Sequence, residues 1–268
     1  MITTMTYAGP FGNHTKWFSD RLEMADSFRL MRYTQYPGRE AKLGFVRRDF
    51  QTKIIDLTAT PEALKEQTSK NTLYKARRAE RDGVTCHFEG DIEGFRIFYN
   101  EVAEAQSRAP IAKGLLESAS PACRIVQADL EGETLVMHSY LADPAQKRIR
   151  LWHSASRHVM GGDSKARNAI GMANRLLHWE CLLRFKEEGF RRYDFGGYSA
   201  DARDQKKMAI NKFKDGFGGE IFAESNYVSY PLMALLSIKG LFKGRRDQDT
   251  DAARDAGSAR DSGADANT

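Results

Sequence analysis

Three stretches decide the reading: residues 168–183 (NAIGMANRLLHWECLL), 191–197 (RRYDFGG) and 213–219 (FKDGFGG). In the first, Ile170, Ala173, Leu176, Leu177, Trp179, Leu182 and Leu183 recur at intervals of three and four, the spacing of a helix with one buried face. That spacing predicts a helix over about 168–188, and Gly189 stands where a left-handed backbone closes a last turn. Arg191 to Phe195 reads as a strand running into Gly196 and Gly197. A second helix over about 204–214 precedes Phe217-Gly218-Gly219 and a closing strand, Glu220 to Tyr227. Phosphates and cofactors commonly sit in such strand–loop–helix–strand units, because helix N-termini present free N–H groups.

Upstream, residues 122–130, 134–141 and 148–154 are strand-like runs with short connections at Glu131-Gly132 and Asp143-Pro144, an antiparallel meander. A Gly-rich, charged loop, His158 to Arg167, joins the meander to the long helix. Further back, Thr60-Pro61-Glu62-Ala63 opens a helix, with Thr as N-cap and Pro in the first turn. A basic helix over about 70–82 stops at Gly83, Val84 to Phe88 reads as a strand, and Ile92, Phe95, Phe98, Tyr99 and Val102 mark a helix over 91–106. Residues 43–57 are expected to be strand material around a turn near Asp49. Residues 1–40 are expected to be irregular, with a short helix between Trp17 and Phe28. The fold class is α/β (α+β): a mixed, largely antiparallel sheet flanked by helices.

With 268 residues, the chain can bury a core without disulfides. Its 41% apolar and 29% charged residues exclude a fibrous or wholly disordered protein. Cys86, Cys123 and Cys181 are far apart, and six scattered histidines show no paired spacing, so neither a disulfide framework nor a metal site is expected. No apolar run is long enough to span a bilayer and no leader pattern opens the sequence, so a cytoplasmic location is expected. The net charge of +5 is uneven. Residues 247–268 hold six Asp and two Arg with no large apolar side chain, and read as a disordered acidic tail. The remaining +9 points to an anionic partner. Residues 230–246 pair an apolar helix face with Lys239, Lys243, Arg245 and Arg246. This segment either packs as a last helix or rests peripherally on an anionic inner-membrane surface.

The segments 168–183, 189–197 and 213–219, together with Ser69 to Val84 upstream, resemble the FemAB-type acyltransferases: the peptidoglycan interpeptide-bridge enzymes and their polysaccharide-cluster relatives, built on the GNAT fold. The likeness spans roughly 66–228, and Phe213-Lys214-Asp215-Gly216-Phe217-Gly218-Gly219 is its most specific part. It implies a reduced GNAT-like portion over 1–110 and a GNAT-like acyltransferase domain over 111–246. It also implies a direct transfer of an acyl or aminoacyl group to an amine on a sugar nucleotide, lipid-linked glycan or peptidoglycan precursor. The donor would be a substrate, acyl-coenzyme A, a carrier-bound acyl group or aminoacyl-tRNA, with no cofactor held permanently. The signature of ordinary coenzyme A-binding acetyltransferases is missing, and Gly161, Gly162, Arg167 and Asn168 occupy the corresponding loop.

The chemistry needs a held donor carbonyl, a deprotonated amine and a stabilised oxyanion. The resemblance places Phe213 and Lys214 at the donor end, with the Lys214 ammonium facing the developing charge. Asp194 is a candidate to accept a proton or orient the amine; alternatively it caps residues 198–202 or pairs with Arg192. His153 is a candidate base at the end of its strand, as is His138, although a lone strand histidine is more often structural. Arg157, Lys165 and Arg167 are candidate donor-phosphate ligands, together with Gly161, Gly162 and Asn168. Lys75 and Arg77 on the basic helix, and Gly196, Gly197 and Tyr198, are candidate acceptor contacts. A non-catalytic RNA-binding module, with tRNA as a partner, and a membrane-peripheral scaffold are competing readings of the same charge distribution.

Overall fold

The computed structural model describes residues 1–8, 11–159, 163–201 and 203–238. The strands are β1 (Ile2–Ala8), β2 (Phe11–Trp17), β3 (Met31–Tyr36), β4 (Phe45–Asp56), β5 (Thr85–His87), β6 (Cys123–Leu130), β7 (Glu133–Asp143), β8 (Arg148–Ser156), β9 (Arg192–Gly197) and β10 (Glu220–Ser229). The helices are α1 (Pro61–Gln67), α2 (Lys70–Arg81), α3 (Ile92–Ala105), α4 (Ser164–Glu187), α5 (Gln205–Asp215) and α6 (230–238). The ten strands form one sheet in the order β1-β2-β3-β10-β4-β9-β8-β7-β6-β5. Only β2–β3 and β8–β9 run parallel among these neighbours.

Alternation along the meander assigns its two faces. Val126, Ala128, Val136, Tyr140 and Ile149 point into a core shared with α4 and α2. Ile125, Met137 and Ala155 point the other way, onto Phe95, Phe98 and Val102 of α3. The long helix is buried over much of its girth, from Ile170 to Phe185, because the sheet lies on one side and α2 on another. Ala76 and Ala79 are the buried residues of α2 that let the two helices approach. Thr60, Ser69, Asp91 and Asp163 each cap a helix by accepting a backbone N–H.

The sheet is coiled enough that its first strands return over the face of its later ones. Trp17 and Phe18 pack on Leu141 and Trp152, and the Ser118 hydroxyl accepts the Met5 N–H at 3.0 Å. Residues 1–40 are therefore not irregular: they hold three strands, and only a 3₁₀ turn at Met24–Phe28 matches the expected short helix. Their inward positions are Thr4, Asn13 and Thr15 as well as Ile2 and Trp17, so apolar alternation is weak where strand alternation is strong. Nor does a turn break the chain near Asp49. β4 pairs with β10 without interruption from Phe45 to Ile54, because the charged stretch Arg47 to Asp49 lies on a strand with paired backbone on that edge. The loop expected to reach Arg167 ends at Asp163, and α4 begins at Ser164. The sheet crosses residue 110 unbroken, with β5 paired to β6 and β10 seated between β3 and β4. The 247–268 tail and residues 239–246 lie outside the described residues.

Gly219 fixes the entry to β10. Its φ is +78°, and a Cβ there would lie 2.5 Å from the Ile54 carbonyl oxygen. Gly219→Ala is expected to destabilise the fold by at least about 1–3 kcal/mol, read as a lower urea midpoint with an unchanged slope.

Candidate active site

β8 and β9 pair in parallel only from Arg148↔Arg192 to Arg150↔Asp194, although β8 continues to Ser156 and β9 to Gly197. The strands part there because β8 is bulged. Ser139 of β7 faces His153 and Tyr140 faces Leu151, leaving Trp152 as the extra residue. A bulge bends its strand and re-aims the side chains beyond it. On the other side of the gap, Gly196 takes φ +73°. The α5 side chain of Lys214 reaches up under the end of β9, donating to Gly197 O at 2.5 Å and Gly196 O at 3.3 Å.

The start of the gap is set by a buried ionic group. Arg148 donates to Asp194 Oδ2 at 2.6 Å and to Glu224 Oε1 at 2.7 Å. Gln35 donates to both carboxylates, at 2.8 and 2.9 Å, and the Thr52 hydroxyl donates to Asp194 Oδ1. Asp194 Oδ1 also accepts the Gly196 N–H at 2.7 Å, which ties the network to the turn at the gap. Burial alone would raise the Asp194 pKa; the charges of Arg148 and Arg150 outweigh it and hold the carboxyl below its ordinary range. Burial pushes the Lys214 ammonium down to about 8, with Asp194 opposing the fall and Arg150 adding to it.

Behind the gap, on the α4 face, His178 is surrounded by Phe195, Phe213 and Phe217 with ring centroids 4.9–5.5 Å away. The Arg175 guanidinium lies 4.9 Å above Phe213. A directed chain of hydrogen bonds crosses this core. With Asn174 Oδ1 accepting from His138 Nε2 at 2.9 Å, the Tyr140 hydroxyl donates to His138 Nδ1 at 3.2 Å. Tyr193 then donates to Tyr140, and His178 Nδ1 donates to Tyr193, each at 2.7 Å. Both imidazoles are held neutral. Burial pushes His138 down to about 4, and burial, with the charges of Lys214 and Arg175 adding, pushes His178 well below its usual value.

No family model matches the chain, and no curated protein matches it. Solved structures do. FemX aligns over 85% of this chain and 83% of its own, at TM-score 0.60 and 12% identity. L-PGS from Bacillus licheniformis aligns over 81% and 74%, at TM-score 0.52 and 15% identity. The chain shares the fold of FemX and L-PGS. In this FemX-type fold the parted strands are β8 and β9, and the Phe213–Gly219 block forms the floor below them. The similarity is one of architecture, and the expected mixed, largely antiparallel sheet is the one found.

The FemX-type core brings Lys214, Asp194, Gly196, Gly197 and Tyr198 together: the Tyr198 hydroxyl donates to Asp215 at 3.1 Å, beside Lys214 in sequence, and Phe213 closes the opposite side. Among the described residues Asp194 caps none of 198–201 and does not pair with Arg192; Arg148 and Thr52 take its oxygens instead. His153 stands apart, on the α3 face between Phe95 and Tyr99, with its Nδ1 2.9 Å from the Ser139 hydroxyl. Burial, with Arg150 adding, pushes it down to about 3, which leaves a weak base. Arg157 turns toward Phe98 and Glu133 rather than toward α4. Arg167 and Asn168 are exposed on the opening turns of α4, where the Ala166 N–H donates to Asp163 Oδ1 at 2.7 Å. That cap puts a negative charge where donor phosphates were expected. Lys75 and Arg77 lie on α2, which starts against the block through Ser69 N and Gly216 O at 2.9 Å. Gly161 and Gly162 lie outside the described residues. Sequence reasoning missed Arg148, Arg150, Glu224, Gln35 and Thr52. The signal was Arg148 and Arg150 alternating with Ile149 and Leu151 on a central strand, where charges need buried partners.

Removing one partner of such a pair leaves the other charge buried and alone. Asp194→Asn is therefore expected to cost about 3–5 kcal/mol, measured by chemical denaturation. The buried histidines give a second expectation. The unfolded chain protonates them near pH 6.5, whereas folded His138 and His153 resist until about 4 and about 3. Stability is then full above about pH 6.5 and falls with acid by roughly 1.4 kcal/mol per pH unit for each histidine. A denaturation midpoint that stays flat from pH 7 to 5 would contradict this.

Proposed function

We propose that the chain is an N-acyltransferase that moves an acyl or aminoacyl group from an activated donor to an amine by direct attack. The observation that carries the reading is the Lys214 ammonium held beneath the parting of β8 and β9. Two of its three donors are spent on the Gly196 and Gly197 carbonyls, and the third, which has no acceptor among the described residues, can meet an oxyanion. The donor carbonyl lies in the gap and the amine nitrogen attacks its carbon. The ester or thioester bond breaks, the amine proton passes to solvent, and the rest of the donor leaves as its free alcohol or thiol after taking a proton from solvent.

The side chains favour direct attack over a covalent intermediate. Burial pushes Cys86 and Cys123 up to about 12 and Cys181 well above its normal value, so none is a thiolate nucleophile. Asp194 is assigned as a positioning residue: it fixes the Gly196 turn and contributes negative potential beside Lys214. Phe213 bounds the donor end. Gly197 and Tyr198 border the gap on the side open to an acceptor.

Acyl-coenzyme A, a carrier-bound acyl group or aminoacyl-tRNA serves as donor substrate. The acceptor is an amine on a cell-envelope sugar or peptidoglycan precursor. The likeness in fold to FemX and L-PGS supports this class of substrate. No helix among the described residues is long and apolar enough to cross a membrane. A peripheral contact through 230–246 remains part of the proposal, with a cytoplasmic site of action.

Lys214→Ala is expected to lower the single-turnover rate by about 10²–10³-fold while circular dichroism shows an intact fold. A rate within a few-fold of wild type overturns the role. Because the ammonium is the working form and titrates near 8, the wild-type rate should fall as pH rises through that value. Lys214→Arg should move this limb upward, since a guanidinium stays charged. Thermal-shift screening against thioesters and charged tRNA identifies the donor. Steeply salt-dependent RNA binding without turnover would favour the RNA-binding reading instead.

A further inference from the structure

The concave side of the sheet holds a cavity of 360 Å³ that the transfer chemistry does not use. Two cations line it, Arg32 on β3 and Arg48 on β4, and no acidic residue does. Arg32 stands opposite Val228 and Arg48 opposite Asn226. Two strand spacings and two residues along β10 therefore separate them, roughly 12 Å between backbones. Arg32 Nε is buried without a hydrogen-bond partner. Burial and the neighbouring Arg48 charge both disfavour its charged form. An uncompensated cation in a half-buried place is costly until an anion joins it.

One wall of the cavity leads to such an anion. Met233 and Leu236 of α6 form it, and Arg48 Nη2 donates to the Met233 sulfur at 3.8 Å. Nine positions beyond Ile238, where α6 ends, the sequence reads Asp247-Gln248-Asp249-Thr250-Asp251. Nine residues reach at most about 30 Å, ample to return to the wall of α6. Acids at every second position share one side of an extended backbone, where the first and third are roughly 13 Å apart. That spacing suits the two arginines. The Thr15 and Thr34 hydroxyls on the cavity wall supply donors for a carboxylate between them. Residues 239–246 carry Lys239, Lys243, Arg245 and Arg246, but exposed charges along one chain are hydrated and screened, whereas the half-buried pair in the cavity is less so.

We propose that the acidic segment 247–251 of this same chain binds the cavity, its carboxylates on Arg32 and Arg48, and so holds α6 against the sheet. The cavity adjoins the reaction gap. Trp17 on its wall stacks on Arg150 at 4.9 Å, and Arg150 Nη2 lies 3.3 Å from where a Gly196 Cβ would be. The Gly196 carbonyl in turn accepts from Lys214. The docked segment is therefore an autoinhibitor of the site. That role rests on the transferase reading; the docking itself does not.

The test uses the full chain and a full-length variant carrying Asp247→Asn, Asp249→Asn and Asp251→Asn. A dansyl-labelled peptide of residues 247–253 is added to each, with energy transfer from tryptophan as readout. A tethered segment is present at about millimolar effective concentration. The peptide should therefore bind the variant saturably and the wild type roughly tenfold more weakly or worse. Adding Arg32→Gln or Arg48→Gln to the variant should weaken peptide binding by roughly tenfold, and salt at about 0.5 M should remove most of it. Wild type should melt above the variant at low salt, with the difference closing as salt rises. Equal binding to wild type and variant, no binding to either, or binding untouched by both arginine substitutions overturns the proposal. So does a variant that gains affinity for mixed phosphatidylcholine–phosphatidylglycerol vesicles but not for the peptide, which gives the cavity to a lipid headgroup. Once a donor and acceptor are in hand, the variant should turn over a few-fold faster than wild type at low salt. Docking with no change in rate removes the autoinhibitory role. Docking with no turnover on any donor sinks the transferase reading and leaves the docking standing.

Discussion

The ion pairs of Arg148 with Asp194 and Glu224 hold the architecture in place. They join β8, β9 and β10, and through Gln35 and Thr52 they draw in β3 and β4, so five neighbouring strands share one polar knot. Charges so deeply buried add little net stability, but they admit few alternative arrangements. A slip of β9 against β8 would separate Asp194 from Arg148 and strand both. The knot therefore fixes the register of the short parallel pairing, and with it the point where the strands part.

The two sides of the sheet do different work around that point. The α4 side is closed by aromatic rings and the neutral His178–Tyr193–Tyr140–His138 chain, whose polar atoms satisfy one another. The concave side is charged, covered by strands from the start of the chain, and left with a cavity. Lys214 sits where the two environments meet. Desolvation from the first and the nearby Arg150 from the second both lower its affinity for a proton, while Asp194 retains the ammonium at neutral pH.

Much of the later half was legible from local pattern. The apolar recurrence from Ile170 to Phe185 marks α4, and the meander follows from its turns, because each element buries one face against a continuous core. The block 213–219 was readable only through resemblance. The structure gives its parts separate physical reasons: Phe217 fills the core, Lys214 reaches β9, and Gly219 passes against the Ile54 carbonyl. The first 40 residues were illegible because their inward positions face a cavity rather than a core, which selects Thr and Asn along with Trp. The Arg148 knot was illegible because its members lie as much as 189 positions apart, as with Gln35 and Glu224. No window on the sequence contains such a pair. His153, prominent on its strand, was misleading for the opposite reason: the bulge at Trp152 turns it toward α3.

The seat of β10 between β3 and β4 has a consequence for synthesis. Residues 31–56 leave the ribosome long before residues 220–229, so β3 and the long β4 each present an unsatisfied edge while about 160 more residues are made. The meander with α4 has partners close in sequence and is free to fold in the meantime. Pairing at such separation is slow to form. The N-terminal strands, the polar knot and the cavity they enclose are thus completed last, and a chain that ends before Glu220 would keep a folded centre with two open edges and no enclosed concave side.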